Sequence, residues 1–515
     1  MSAIAVRPGP DARAASGRTE RLRPLVLSMA VLAIAVPWQM HWGVNGDTSW
    51  NITISERLLA GDRLYIDVIE TNPPFTIWLY LPAVYLAKLL GVVPEYLVYA
   101  YSYALCIFGL WFASFVARRA RFPENSGLYT LLPAFLALLV LFPGNSFSER
   151  ENLGVALLLP LLVLMAWRAA NDPSSPPEWW VAALAGLSGS AMVLVKPYYA
   201  IMIIAPASYV AWRQRSIRSL FAIEYWIVGF VCLSYLAAVL WLYPEFMRDV
   251  YPNLADTYLR YKQYGPVLAT YGGAYLVSIC FLLFLRNGRA LSPLVMVLAI
   301  GSVAGFVPLV YQGKGWAYHA YPALALMLAA ITCCAVERSS ARGVARLDIV
   351  QKMLLAAIVA VNWLPFKYTG KPAADFVASL RAAVDHPTIG LIGSGMESGH
   401  PLTRTIGGRW ISAYCSDWLG GLAVLFARIA RAQGNTVEAA RLDAIVRNFL
   451  DAKIRELKAA KPDLMIVQKT DTFWISRVMQ RDDFSSFMND YRVLSEDENI
   501  RVYLRKGSGK VISTN

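Results

Sequence analysis

Eleven apolar runs constrain the fold of this 515-residue chain more than any other feature. Each is nearly free of charged residues, and most reach or approach the roughly 17–25 residues that a helix needs to cross a hydrocarbon core of about 30 Å. The runs are Pro24–Met40, Tyr96–Val116, Leu128–Phe142, Leu153–Trp167, Trp179–Val195, Tyr198–Trp212, Phe221–Leu242, Thr270–Leu285, Leu291–Val310, Ala317–Val336 and Ile349–Leu364. They do not alternate polar and apolar residues, which excludes a transmembrane β-barrel. The sequence therefore predicts a mainly α-helical polytopic membrane protein with about eleven membrane helices.

Composition and the first run agree with this prediction. Only 16% of the residues are charged, against roughly 25% in soluble domains. The first run lacks the small-residue cleavage site of a signal peptide, so we expect an uncleaved first helix. The net charge of +13 is spread over loops between apolar runs and does not indicate nucleic-acid binding. The six cysteines form neither a disulfide framework nor a zinc-binding spacing.

Basic residues predict the orientation of the helices. Arginine clusters precede the first run and separate later runs, and they share one side if each run crosses once. The clusters are Arg7, Arg13, Arg18, Arg21 and Arg23; Arg118, Arg119 and Arg121; Arg213, Arg215 and Arg218; Arg286 and Arg289; and Arg338, Arg342 and Arg346. The positive-inside rule makes that side cytoplasmic. A further apolar segment, Pro73–Leu90, would break this agreement by crossing, so we expect an interfacial or re-entrant helix on the outer face.

The composition changes past about Lys367. The predicted strands of this part are Thr388–Ile392, Leu464–Val467 and Ile500–Arg505. The predicted helices are Gly420–Gln433 and Val437–Ala459. We therefore predict a cytoplasmic tail (1–23), a transmembrane domain (24–366) and a soluble α/β domain on the outer, periplasmic side (367–515). Trp410, Trp418 and Trp474 are expected in the core of the α/β domain.

Two outward loops carry carboxylates that membrane insertion does not explain. Asp47 is the first carboxylate after the first run, and a desolvated carboxylate in an interfacial cleft can act as a general base. Asp62 and Asp67, farther along that loop, are interpreted as solvated. The second loop contains Glu149-Arg150-Glu151. This triplet is either a solvent-exposed turn or a set of carboxylates facing the same cavity as Asp47, with the arginine orienting one of them or binding phosphate.

Two further outward loops carry cations and aromatic residues. Lys196 and Lys314 lie on the side that the positive-inside rule leaves poor in lysine, and Lys314 stands between two glycines. They are either lipid-facing lysines or ligands of a lipid phosphate, since a lysine ammonium binds phosphate as a point charge. His319 and the aromatic residues Tyr198, Tyr199, Trp316 and Tyr318 flank them. Carboxylates and cations together at one interface suit a transferase that takes a sugar from a lipid-linked phosphate.

The outward loops also resemble those of a known family. The stretches Asp47-Thr48-Ser49, Gly61-Asp62-Arg63-Leu64-Tyr65 and Glu70-Thr71-Asn72-Pro73-Pro74, followed by Ser148-Glu149-Arg150-Glu151, resemble the GT-C superfamily of membrane glycosyltransferases. The likeness is to the branch that contains the lipid A aminoarabinose transferase and the protein O-mannosyltransferases. It implies a GT-C-like transmembrane bundle in the bacterial inner membrane, with a juxtamembrane helix on the periplasmic face.

The resemblance also implies a reaction and roles for residues. It implies inverting transfer of a sugar from a polyprenyl-phosphate donor to a periplasmic glycan, lipid or protein acceptor. Asp47 would be the general base or position the acceptor hydroxyl, and Glu149 or Glu151 would assist it or, with Glu70, bind a divalent metal. The remaining roles are donor-phosphate binding by Lys196, Lys314, His319, Arg63 and Arg150, and sugar or lipid contacts by Tyr198, Tyr199, Trp316 and Tyr318.

Two other functions fit an apolar chain with these loops. A transporter or flippase would show charged residues at mid-membrane and two repeated halves. The sequence shows no convincing repeat, and only Glu224 stands within an apolar run. A polymerase or ligase of surface polysaccharide would use a diphosphate carrier, which assays with monophosphate and diphosphate donors distinguish.

Overall fold

The structure is a computed structural model that describes residues 10–119, 128–171, 176–340, 349–368 and 373–509. Of the predicted cytoplasmic clusters, Arg7, Arg121, Arg342 and Arg346 lie outside the described residues, as do the side chains of Arg13, Arg18 and Arg21.

Every one of the eleven apolar runs is helical. The helices of the first part of the chain are α1 (Pro10–Trp42), α2 (Gly46–Leu59), α3 (Phe75–Trp78), α4 (Leu81–Leu90), α5 (Pro94–Arg119), α6 (Leu128–Val140), α7 (Arg150–Ala170), α8 (Trp179–Val195), α9 (Ile201–Gln214), α10 (Ile223–Leu242), α11 (Tyr251–Asp256), α12 (Tyr264–Val267), α13 (Gly273–Arg286), α14 (Pro293–Gln312), α15 (Ala317–Ser340) and α16 (Ile349–Trp363). Among the described residues, seven helices are long and apolar enough to cross a membrane: α1, α5, α7, α10, the continuous helix Tyr264–Arg286, α14 and α15. The chain is a multi-pass membrane protein.

Two helices form the centre of the bundle. In α7 and α15, 78% and 89% of the apolar span is buried, whereas the figure for α10 is 6%. The surface of α10 is apolar and exposed, as expected of a helix that contacts lipid. The central helices begin at Arg150 and Ala317, so the polar residues of their first turns lie at the middle of one end of the bundle.

The segment after α1 stays at that end of the bundle. Helices α3 and α4 have 4 and 10 residues, and at 1.5 Å per residue neither can cross a hydrocarbon core of about 30 Å. Pro74 precedes α3, and α4 ends at Gly91, which adopts a left-handed conformation. Helix α4 packs against α2 and α5. The segment is therefore a broken juxtamembrane helix, as the arginine pattern predicts.

The C-terminal part is an α/β domain. Its elements are α17 (Ala374–Ala383), β1 (Thr388–Ile392), α18 (Leu402–Thr405), β2 (Arg409–Trp410), α19 (Trp418–Ala432), α20 (Thr436–Ala460), β3 (Leu464–Gln468), α21 (Thr472–Met479), α22 (Asp482–Met488), β4 (Tyr491–Glu496) and β5 (Ile500–Arg505). The sheet order is β2-β1-β3-β5-β4, with β1 parallel to β2 and β3, and β5 antiparallel to β3 and β4. The three predicted strands and both predicted helices are present. Strand β4 was not predicted, because only its first residue is buried and the alternation typical of a half-buried strand is absent.

This domain covers the end of the bundle at which α7 and α15 begin, which we call the capped end. Arg404 of α18 donates to the carboxylates of Glu95, at 2.6 Å, and of Glu56. The backbone N–H of Ile69 donates to the carbonyl of Ala413 at 2.8 Å. Charge-assisted and backbone hydrogen bonds thus hold the domain on α2, α5 and the loop between α2 and α3.

Candidate active site

A cavity of about 1650 Å³ lies between the capped end and the α/β domain. Its volume exceeds the roughly 300–1,000 Å³ of a typical small-molecule site, so two substrates can be held together. The charged residues that line it are Asp47, Glu70, Glu95, Glu149, Arg150, Lys196, Arg381, Glu397, Arg404 and Asp471. Asp47, Glu149, Arg150 and Lys196 come from the segments that follow α1, α6 and α8. Glu70 and Glu95 come from the loop between α2 and α3 and from the first turn of α5, and the α/β domain supplies the other four.

Asp47 is placed by the start of α2. Asn45 caps this helix, since its side-chain oxygen accepts from the N–H of Thr48 at 2.8 Å. The Asn45 amide also donates to the carbonyl of Asn145 at 2.8 Å, which links the loop after α1 to the loop after α6. Gly46 allows the α/β domain to approach α2, because a Cβ there would lie 3.3 Å from the carbonyl oxygen of His400. The Asp47 side chain lines the cavity and is 25% exposed.

Glu149 is placed by a strained residue. Ser148 has a φ of 67°, a conformation that residues other than glycine rarely adopt. Three contacts hold it: Asn152 Oδ1 accepts from its N–H at 3.2 Å, the Tyr80 hydroxyl donates to its carbonyl at 2.6 Å, and its hydroxyl lies 3.2 Å from that of Thr48. The turn directs Glu149 to the cavity at the start of α7. Burial and the charge of Asp47 raise the pKa of Glu149.

Two buried cations lie among the carboxylates. Arg150 Nη2 is 3.7 Å from Asp47 Oδ1, and Arg150 Nε is 4.0 Å from Glu151 Oε2. Lys196 Nζ donates to Glu151 Oε1 at 2.7 Å and lies 2.8 Å from His319 Nε2. Because an ammonium group can only donate, His319 Nε2 accepts and the neutral ring carries its proton on Nδ1.

These surroundings set the protonation of the site. Burial raises the pKa of Asp47 to about 6, and Arg150 opposes the rise while Glu70, Glu151 and Glu397 add to it. Burial also lowers the pKa of Lys196, against the effect of Glu151. A carboxylate with a pKa near neutrality is suited to accept a proton from a hydroxyl group at physiological pH.

The structure brings most of the predicted site residues together. Asp47, Glu70, Glu149, Arg150, Lys196, Trp316 and Tyr318 line the cavity. Glu151 and His319 lie behind its wall, in contact with Lys196. Tyr198 and Tyr199 contact each other, with ring centroids 5.1 Å apart, but do not line the cavity.

Two predicted phosphate ligands lie elsewhere. The Lys314 ammonium donates to the carbonyls of Tyr258 and Tyr261 and does not line the cavity. Gly313 and Gly315 have φ values of 59° and 78°, so the turn between α14 and α15 explains both glycines without a ligand. The Arg63 side chain is 69% exposed and pairs with Asp67 at 3.1 Å, outside the cavity.

The metal prediction concerns Glu70 with Glu149 or Glu151. Across the described ranges, no three His, Cys, Asp or Glu side chains are grouped to hold a metal ion. Glu70 accepts from Trp50 Nε1 at 2.8 Å and from the N–H of Asn72 at 2.9 Å. Arg150 lies near Asp47 and Glu151, and Lys196 pairs with Glu151, whereas the buried Glu149 Oε2 has no hydrogen-bond partner among the described residues. Metal binding therefore stays a prediction, and no catalytic step is assigned to a metal.

Sequence reasoning missed several lining residues. Trp418, expected in the core, is half-buried and lines the cavity, whereas Trp410 and Trp474 are buried as expected. Tyr258 also lines the cavity, from the loop between α11 and α12. The density of tyrosines in that outward loop was a signal that could have identified it. Arg381, Glu397 and Asp471 also line the cavity, and their positions there depend on how the α/β domain docks on the bundle.

No family model and no curated protein matches the chain in sequence. Among solved structures, it is similar to ArnT from Cupriavidus metallidurans in the apo state, with a TM-score of 0.52, 15% identity, and coverage of 95% of this chain and 98% of that one. The same protein bound to undecaprenyl phosphate matches with a TM-score of 0.51 and 13% identity, over 94% of this chain and 97% of that one. At identities this low, the similarity concerns the fold alone. The two structural matches confirm the prediction that the chain has a GT-C-like fold.

Proposed function

We propose that the chain is an inverting glycosyltransferase that moves a sugar from a polyprenyl-phosphate donor to an acceptor on the periplasmic face of the bacterial inner membrane. The observation that carries this proposal is one cavity, at the end of a membrane bundle, lined by a carboxylate with a pKa near 6 and by the cations Arg150 and Lys196. The fold adds support, since ArnT, which shares it, has been crystallised with undecaprenyl phosphate.

The proposed reaction is a single displacement at the anomeric carbon. Asp47 accepts the proton of the acceptor hydroxyl as its oxygen bonds to C1 of the donor sugar. The bond between C1 and the phosphate oxygen breaks with its electron pair on the phosphate, so polyprenyl phosphate leaves and C1 is inverted. Asp47 then releases the proton to water. No covalent enzyme intermediate is needed.

Arg150 and Lys196 are suited to the leaving phosphate. Arg150 Nε has no hydrogen-bond partner among the residues that the structure describes, although it is buried. Lys196 uses two of its three N–H donors, on Glu151 and His319, and keeps a third. Unused donors in a buried cavity bind a developing negative charge strongly, because little water competes. We expect Lys196→Met to reduce binding of plain polyprenyl phosphate.

The test is transfer by the purified chain in liposomes. Wild type, Asp47→Asn and the matched control Asp67→Asn are compared on a panel of polyprenyl-phosphate and polyprenyl-diphosphate sugars, with extracted envelope glycolipids, glycans and proteins as acceptors. We expect monophosphate donors to support transfer, Asp67→Asn to retain it and Asp47→Asn to lose it. Full transfer by Asp47→Asn would refute the assigned base. Transfer from diphosphate donors alone would instead identify a polymerase or ligase.

A further inference from the structure

Four aromatic rings form one continuous side of the cavity, which we call the aromatic wall. Tyr318, Trp316, Tyr258 and Trp418 all line the cavity. Successive ring centroids in this order are 5.7, 5.8 and 5.1 Å apart. Trp316 is 43% exposed, although Gln312, Lys314 and His319 close to it in sequence are buried. Ring surface is therefore open to a ligand in the cavity.

The aromatic wall begins at the cations. The Tyr318 ring centroid is 5.2 Å from Lys196 Nζ and 6.0 Å from Arg150 Cζ. Because the Trp316 ring is the next one after Tyr318, a group bonded to a phosphate held by these cations would reach it. The C–H face of a sugar ring is apolar while its hydroxyls project from the edge, so it packs on an aromatic face and leaves its polar groups free.

The α/β domain supplies the far end of the aromatic wall. Trp418 is the first residue of α19, and Tyr258 lies between it and Trp316. The loop that carries Tyr258 is fixed on both sides. Lys314 donates to its carbonyls, and Asp256 pairs with Arg441 of α20 at 2.8 Å. The wall is thus preformed, which lowers the entropy cost of binding a ligand.

We propose that the aromatic wall is a carbohydrate-binding surface and that Trp418 gives the α/β domain a direct part in holding a sugar during transfer. This inference rests on the proposed function. The group that the aromatic wall would bind is the apolar face of a pyranose, which belongs either to the transferred sugar or to a saccharide acceptor. The α/β domain is then part of the substrate site and more than a cover over it.

The test compares carriers with and without a sugar. Full-length wild type and Trp418→Leu, in lipid nanodiscs, are titrated with undecaprenyl phosphate alone and with undecaprenyl-phosphate monosaccharides. We expect Trp418→Leu to weaken binding of the sugar-bearing carrier about tenfold or more, as removal of a buried tryptophan anchor does. Binding of the plain carrier should not change. Trp418→Tyr, which keeps a flat ring, should restore most of the lost affinity.

The second arm separates the two sources of the sugar. If Trp418 holds the acceptor, both carriers bind normally and the KM for a saccharide acceptor rises about tenfold instead. Arg431→Met is the matched control, since it breaks an ion pair between the same helix, α19, and Asp443 of α20 outside the cavity. If Arg431→Met reproduces the Trp418→Leu defect, or if both carriers weaken equally, the wall is not a sugar site. If wild type binds no carrier at all, the proposed function fails and the inference falls with it.

Discussion

Replacing Asp47 by asparagine should abolish transfer and make the protein more stable at neutral pH. The folded chain holds the pKa of Asp47 at about 6 instead of 3.8, chiefly because burial disfavours the carboxylate. A shift of about two units corresponds to about 3 kcal/mol at 1.36 kcal/mol per unit. Asparagine resembles the neutral carboxyl group in shape and carries no charge that burial disfavours. At pH 7 the free energy of unfolding of the variant should therefore exceed that of wild type by up to about 3 kcal/mol.

The sign of the pH dependence follows from proton binding. Between about pH 4 and pH 6 the folded chain holds the Asp47 proton and the unfolded chain does not. The free energy of unfolding contributed by this group therefore falls as the pH rises through that window. The stability difference between Asp47→Asn and wild type should be largest at pH 7 and should disappear towards pH 4.

The assay is thermal unfolding in nanodiscs at several pH values, paired with transfer kinetics. In wild type, kcat/KM should fall about tenfold per pH unit below about pH 6, because the base is then protonated. Asp67→Asn is the control: hydrogen bonds from Arg63 lower the pKa of this exposed carboxylate, so the variant should gain no stability. A variant Asp47→Asn that is less stable than wild type at pH 7, or a stability gap independent of pH, would refute the reasoning.

Substitutions at three further positions test the surroundings of the site. Ser148→Val should lose about 1–3 kcal/mol of stability, because a β-branched residue tolerates a φ of 67° poorly, whereas Ser148→Gly should lose less; thermal unfolding compares them. Lys314→Met should cost about 1–3 kcal/mol by leaving two loop carbonyls without a donor, while the affinity for plain polyprenyl phosphate, measured by titration, stays the same. Arg404→Met should unpair two carboxylates and loosen the α/β domain, which limited proteolysis would detect as faster cleavage within that domain.

The sequence was sufficient for the architecture because membrane insertion imposes strong rules. Length and lack of charge identified all eleven helical runs, and the arginine pattern separated Pro73–Leu90 from the crossing helices. The same topology places the loops after α1, α6 and α8 at one end of the bundle. Residues from those loops, such as Asp47, Glu149 and Lys196, could therefore be grouped without knowledge of the packing.

The exact positions of several site residues depend on tertiary packing, which the sequence pattern does not reveal. Glu149 lines the cavity while Glu151 is buried against Lys196, and this difference is set by the residue at which α7 begins. Lys314 was predicted to bind phosphate because it lies between two glycines. Its ammonium instead donates to carbonyls of a loop more than fifty residues earlier in the chain, which the sequence pattern does not reveal. Trp418 reaches the cavity only because of the way the α/β domain docks.

The docked domain also helps to set the chemistry of the base. Gly46 lets the α/β domain approach the first turn of α2, and Glu397 of that domain is among the charges that raise the pKa of Asp47. The membrane bundle supplies Glu70 and Glu151, which also raise this pKa, and Arg150, which lowers it. Removal of the α/β domain would expose Asp47 to water and take away the charge of Glu397, so the pKa of Asp47 should fall. Under the proposed function, the α/β domain therefore helps to set the pKa of the residue that accepts the proton of the acceptor hydroxyl.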